Sequence, residues 1–248
     1  MDNYVIRAVA SANGQNNCVK ISVYEEYIPA LIHLEKFSHI LVFSKVNTAD
    51  DEIKAVPHAD IKENVMKILS INSTTGVIET EGNLYGKFSI FDIKPYFPIE
   101  DRVKNCLIEG KLTSNDFLSF VKVDNYQISS NIEKSALKSC SLKVIGKIEK
   151  GPGFCRIRIS NDYLKIVNKI SAHSHIRVLW YFSRFDSEKY RKITQCDPPY
   201  EKAPRTGIFA SRSPVRPNPI AVTTCKVIKI DLKAAAIEIN DTDAFDKS

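Results

Sequence analysis

The sequence predicts a mainly β fold, arranged as two similar small domains in tandem, each with one or two short helices. Three observations predict it. Short stretches of alternating or apolar β-rich residues recur between turn signals along the chain. Hydrophobic residues make up 44% of 248 positions, with 12 Phe and 10 Tyr, enough for packed cores and too much for disorder. One segment of the first half also returns, ungapped, in the second.

That segment is YIPALIHLEKFSHILVF from Tyr27, matched by YLKIVNKISAHSHIRVL from Tyr163. At an offset of 136 (163 minus 27), Tyr27, Ser38, His39 and Ile40 fall on Tyr163, Ser174, His175 and Ile176, and Ile21 falls on Ile157. In each copy a β-rich stretch (19–23; 155–159) leads into a short helix-like segment, read from Ile28 and Leu31 and from Leu164 and Val167. A second strand follows, at 40–43 and at 176–182. VMKI at Val65 then resembles VIKI at Val227 at an offset of 162, so the second copy gains 26 residues (162 minus 136), within 183–224. The expected division is a first domain over 1–102, a linker over 103–138, and a second domain over 139–248, with SSNIEKSALKSCS at Ser129 read as linker or cap.

A formal charge of +6 admits a polyanionic partner without requiring one. The cysteines, Cys18, Cys106, Cys140, Cys155, Cys196 and Cys225, are scattered with no C-x-x-C pair, which argues against a zinc site and for a reducing compartment. The N-terminus MDNYVIRAVAS has neither the charged start nor the apolar core of a signal peptide, and no apolar run has the length of a membrane span. No metal, no membrane and a cytoplasmic location are the expectations.

The inserted stretch contains GIFASRSPVRPNPI, residues 207–220. Pro214, Pro217 and Pro219 forbid a helix and stiffen the backbone, and Gly207 permits an unusual entry. Arg212 and Arg216 stand four apart, able to grip a carboxylate or phosphate, and Asn218 has the donor and acceptor that pair with an adenine edge. Residues 184–216 hold eight Lys/Arg against four Asp/Glu, interleaved with Tyr190, Tyr200 and Phe209, a strip that suits a phosphate backbone and stacked bases or a plain solvated face. After a strand near the C-terminus, Asp241, Asp243 and Asp246 offer carboxylates for proton transfer or an ordinary Asp-rich turn. A long loop of this kind points to function in the second copy, with the first as support.

GIFASRSPVRPNPI resembles the signature of the TsaA-like family, whose characterised members are TrmO-type tRNA methyltransferases. SHIRVLWYF, EKFSHILVF and DTDAFD resemble flanking segments of that family, and DIKPYFP at Asp92 resembles its D-[IV]-K-P-Y-x-P ending. The family's glycine after N-P-I is Ala221 here, a frequent His-Gln pair is Ser183-Arg184, and the Pro/Gly cofactor loop has no clear counterpart in the second copy. The chain stops at Ser248, where the second copy is due to enter its own D-I-K-P-Y; a cut or shortened end is the expectation, with residues 92–98 of the first copy filling the role as the alternative.

The resemblance implies two TsaA-like small β-barrels, the first copy degenerate and the second bearing the motif. It implies S-adenosyl-L-methionine as cofactor, tRNA as partner, and N6-methylation of threonylcarbamoyladenosine in the anticodon loop. Cofactor contacts carried over are Ser183, Arg184, Arg212, Ala221, Val222, Thr223, Asn240, Asp241, Thr242 and Asp243, joined by Phe209 and Asn218 from the loop. Asp243 is the expected proton acceptor, with Arg212 and Arg216 as anchors for cofactor carboxylate or RNA phosphate. The assembly expected is a pseudo-dimer within the chain or a homodimer. Rival readings are a non-catalytic cofactor-binding sensor or RNA-binding module and a methyltransferase for a small metabolite.

Overall fold

A computed structural model describes residues 3–46, 61–82, 84, 86–102, 107–108, 111–112, 137–167, 170, 173–199 and 202–246. Most of the expected linker over 103–138, together with Cys106 and Tyr200, lies outside these. Contacts gather the described residues into two compact units. One holds the chain up to Tyr96, the stretch ending at Lys143, and Ser183–Ile220; the other holds the segments starting at Phe97 and Val144, the latter ending at Phe182, and the chain from Ala221. The segment 183–220, which the sequence assigns to the second copy, therefore packs with the first.

In the first unit, strands β2 (Ala10–Gln15), β3 (Cys18–Val23), β4 (His39–Val46), β5 (Lys62–Asn72), β6 (Val77–Glu81) and β7 (Gly86–Pro95) close into a barrel of order β2-β3-β6-β5-β4-β7. Alternation drives it: in CVKISV every second residue, Val19, Ile21 and Val23, is buried, and Ile40, Val42, Met66, Ile78 and Ile90 meet them inside. Thr80 enters this core because its hydroxyl donates to the Val19 carbonyl at 3.2 Å. The helix expected around Ile28 and Leu31 is a 3₁₀ turn, Glu25–Leu31, with Pro29 inside it. Beside the barrel, β1 (Asn3–Arg7) pairs antiparallel with β10 (Ser139–Lys143).

The second unit contains an antiparallel pair of two-residue strands, β8 (Leu107–Ile108) with β9 (Lys111–Leu112), and a five-stranded sheet. That sheet comprises β11 (Gly146–Gly151), β12 (Phe154–Ile159), β13 (His175–Tyr181), β16 (Ile220–Asp231, starting at the unit boundary) and β17 (Ala236–Ile239), in the order β11-β12-β17-β16-β13. Cys155, Ile157 and Ile159 alternate inward against Ile148, Trp180, Ile237 and Ile239. The fold is mainly β, as the alternation predicts. The first barrel closes through β7, which bridges β2 and β4; among the described residues no strand bridges β11 and β13.

The offset of 136 holds strand by strand: β1 and β10, β2 and β11, and β3 and β12 begin and end 136 residues apart, and β4 and β13 begin so. Ser38 Oγ lies 2.9 Å from His39 Nδ1, and Ser174 Oγ lies 2.9 Å from His175 Nδ1. Beyond the insertion the structural offset is 159, not 162. Both halves carry a bulge, between Ile68 and Ser70 and between Val227 and Lys229, and then a turn joining Asn72 to Val77 and Asp231 to Ala236. Asn72 Oδ1 accepts from the Thr75 N–H at 3.0 Å, and Asp231 Oδ1 from the Ala234 N–H at 2.9 Å. The insertion is thus 23 residues (159 minus 136), since bulge and turn set the register and the VMKI/VIKI likeness does not.

Candidate active site

The proline-rich loop belongs wholly to the first unit. A short strand pair, β14 (Gln195–Cys196) with β15 (Thr206–Gly207), delivers it to the barrel. Gly207 lies so close to the chain at 30–32 that a Cβ there meets the Ala30 carbonyl oxygen at 2.1 Å, and its N–H donates to the Ile32 carbonyl at 3.0 Å. Only glycine fits this crossing. Ile208, Phe209 and Ala210 then form a 3₁₀ turn that enters the barrel core. Phe209 is completely buried among aliphatic side chains, which removes it from the expected stacking strip and from cofactor contact.

The cations of the loop turn inward. Arg216 has no exposed surface, and each of its five N–H donors has an acceptor: Nε and Nη2 to Asp92 Oδ1 at 3.2 and 2.6 Å, Nη2 also to the Ile93 carbonyl at 2.9 Å, and Nη1 to the Ser211 and Ser213 carbonyls at 3.3 and 3.2 Å. The expectation that Arg216 anchors a cofactor or phosphate is corrected: its fork is filled by the protein. Asn218 is likewise engaged, its Nδ2 donating to the Arg7 and Phe91 carbonyls at 2.6 Å each and its Oδ1 accepting from the Arg7 N–H at 2.9 Å. That leaves no amide edge for adenine, so Asn218 too is structural. Arg212 is half-buried and donates through Nη2 to the Pro95 carbonyl at 2.9 Å. The residues gripped, Asp92 to Pro95, are the D-I-K-P of the first half.

Sequence reasoning missed two residues that complete this cluster. Arg191 donates to Asp186 at 2.6 Å and to the Val5 carbonyl at 3.0 Å, tying the loop's helical turn Glu188–Arg191 to β1. Lys94, 2% exposed, sits 2.8 Å from Asp92 Oδ2, so one carboxylate serves two buried cations. Burial first, and then the Arg216 guanidinium, bring the Lys94 ammonium down to about 7 against the opposing pull of Asp92. The D-I-K-P-Y match was the visible signal for both Asp92 and Lys94. Ser183 and Arg184 are exposed, in a 3₁₀ turn at the start of the loop.

The remaining expected residues assemble in the second unit, where β16 and the segment after β17 run together. Ala221, Val222 and Thr223 open β16, and Asn240 binds Lys226 both ways, its N–H donating to the carbonyl at 3.1 Å and its Oδ1 accepting from the N–H at 2.7 Å. Asp241 Oδ1 accepts from the Thr242 N–H at 2.7 Å and lies 3.1 Å from Lys150 Nζ, which also donates to the Thr242 carbonyl. The hydrogen bonds from Lys150 and Thr242 hold the Asp241 carboxyl below its ordinary range. Thr223 Oγ1 donates to Asp243 Oδ1 at 2.8 Å and accepts from the indole N–H of Trp180 at 3.1 Å. Asp241 and Asp243 are exposed, so this edge presents two carboxylates to incoming groups. Cys225 is no nucleophile here: burial, with Cys155 and the two aspartates, pushes its thiol up to about 12. Among the described residues no group of His, Cys, Asp and Glu could hold a metal ion, and no helix is long and apolar enough to cross a membrane.

Residues 149–248 match the model of the tRNA-methyltransferase O N-terminal domain. A probable S-adenosyl-L-methionine-binding protein of Methanocaldococcus jannaschii is 37% identical over 90 residues, 36% of this chain and 71% of that protein. An S-adenosyl-L-methionine-binding protein of Archaeoglobus fulgidus is 32% identical over 92 residues, 37% of this chain and 61% of its own length. The crystal structure of TrmO from Pseudomonas aeruginosa is similar at 17% identity and a TM-score of 0.34, over 40% of this chain and 59% of that one.

Proposed function

From the premise that this chain belongs to the tRNA-methyltransferase O N-terminal domain family, we propose that it is an S-adenosyl-L-methionine-dependent methyltransferase acting on tRNA, with N6 of threonylcarbamoyladenosine as acceptor. The observation that carries the reading is the hydrogen-bonded Thr223–Asp243 pair beside Asp241, all within the matched residues. The donor set suits the cofactor: exposed carboxylates accept from hydroxyl groups and favour a neighbouring cation such as a sulfonium. When bound, the cofactor supplies a methyl group already activated on positive sulfur. Asp243 would receive the proton that the acceptor nitrogen gives up on methylation. Thr223 holds that carboxylate, and the Lys150 clamp on Asp241 and Thr242 holds the segment carrying it.

Methyl incorporation from labelled cofactor into bulk tRNA tests this. The wild-type chain is expected to label tRNA, and Asp243→Asn to lose at least about a hundredfold in rate. Undiminished activity in Asp243→Asn overturns the assignment. Cofactor binding without transfer identifies the sensor reading, and salt-insensitive turnover with no tRNA labelling identifies a small-molecule acceptor.

The β1–β10 pairing favours a second element of the reading. Its register sets Val5 opposite Ser141, Asn3 opposite Lys143 and Arg7 opposite Ser139. Val5 and Ser141 are themselves 136 apart, so counterpart strands meet about their own midpoint, as in an isologous contact between two identical chains. We infer that the chain carries its own partner and acts as a pseudo-dimer. A solution mass near the 28.0 kDa of one chain is the expected result, and a stable mass of twice that argues against it.

A further inference from the structure

The hydrogen-bond chain behind Asp243 has a direction set by chemistry. An indole N–H only donates, so at 3.1 Å from Trp180 Nε1 the Thr223 oxygen must accept. A threonine hydroxyl has one hydrogen, and at 2.8 Å from Asp243 Oδ1 that hydrogen goes to the carboxylate. Trp180 is itself held: it is 6% exposed, packs in the second core, and meets the Phe182 ring edge-on at a centroid distance of 4.3 Å. A buried ring on β13 therefore orients a hydroxyl on β16, and the hydroxyl orients an exposed carboxylate in the segment after β17.

We propose that Trp180 is a positioning residue for Asp243, acting through Thr223, and that it fixes the carboxylate where a proton is to be received. This rests on the reading of Asp243 as proton acceptor. Without the indole donor the Thr223 hydroxyl is free to turn its hydrogen elsewhere, and Asp243 loses its fixed partner. Neighbouring groups do not replace it: the Lys150 ammonium is directed to Asp241 and the Thr242 carbonyl.

Trp180 is the one tryptophan of these 248 residues, so its indole N–H gives a single resonance in this chain. Thr223→Val removes the acceptor at nearly constant shape, and Asp243→Ala, an exposed change, removes the far end of the chain. Both are expected to move the indole resonance, and Trp180→Phe is expected to lower kcat about tenfold or more with KM for tRNA unchanged. An indole resonance indifferent to both substitutions overturns the proposal, as does a folded Trp180→Phe variant with wild-type kcat. If the resonance responds but the wild-type protein transfers no methyl group to any tRNA, the hydrogen-bond chain stands and the catalytic reading of Asp243 falls, which separates the two failures.

Discussion

The Arg216 guanidinium and the Asp92 carboxylate, 124 residues apart in sequence, meet at 2.6 Å with 0% and 1% of their side-chain surfaces exposed. The pair joins the proline-braced loop to the strand that closes the first barrel. A buried pair of this kind adds little over apolar replacements of equal volume, but removal of one partner strands the other. Arg216→Ala and Asp92→Asn are each expected to cost about 3–5 kcal/mol in urea unfolding. The double variant is expected to cost less than the two together. A loss below about 1 kcal/mol in Arg216→Ala contradicts the latch.

Lys94 makes the same cluster sensitive to pH. The unfolded chain keeps this ammonium protonated up to its ordinary value of 10.5, whereas the folded chain releases the proton at about 7. Between those values the unfolded state binds more protons, so stability rises with pH across about 7 to about 10.5, and the full cost of the buried charge is borne below about 7. Lys94→Met is expected to stabilise the protein most in neutral and acidic buffer and to flatten this slope. Parallel unfolding curves for both proteins from neutral to alkaline pH check it.

Gly207 admits no side chain. Gly207→Ala is expected to destabilise by about 3 kcal/mol, since the new methyl meets main-chain atoms of Ala30 rather than a flexible side chain. The loop is also expected to become more accessible to protease than in the parent. An unchanged melting temperature contradicts this.

The equivalent turns of the two halves offer a gain. Gly76 sits at φ 70° in the first and Ala235 at φ 53° in the second, a conformation that disfavours a Cβ. Ala235→Gly is expected to stabilise by about 1 kcal/mol, with Gly76→Ala destabilising by at least as much. Thermal unfolding of both variants measures the pair.

Local pattern carried much of this fold. Val19, Ile21 and Val23 alternate inward as the sequence implies, and the 136-residue offset survives in strand ends. The site was legible only in part. Prolines and arginines at 212–219 announced a stiff loop with cations, but not which way Arg216 faces, because its acceptor lies on a strand 124 residues earlier. The VMKI likeness misplaced the later offset by three residues because hydrophobic identity along one strand says nothing of a bulge. The role of Trp180 depends on a hydroxyl three strands further along the chain, 43 residues on, and no periodicity reports such a meeting.

The β7 strand and the loop that it grips are encoded far apart, yet neither is sound alone. A genetic crossover that swapped only the later half of the coding sequence for that of a cousin would bring a foreign loop to this strand, and only a cousin carrying the arginine is expected to match the resident aspartate. Positions 92 and 216 are therefore expected to pass down as one heritable unit.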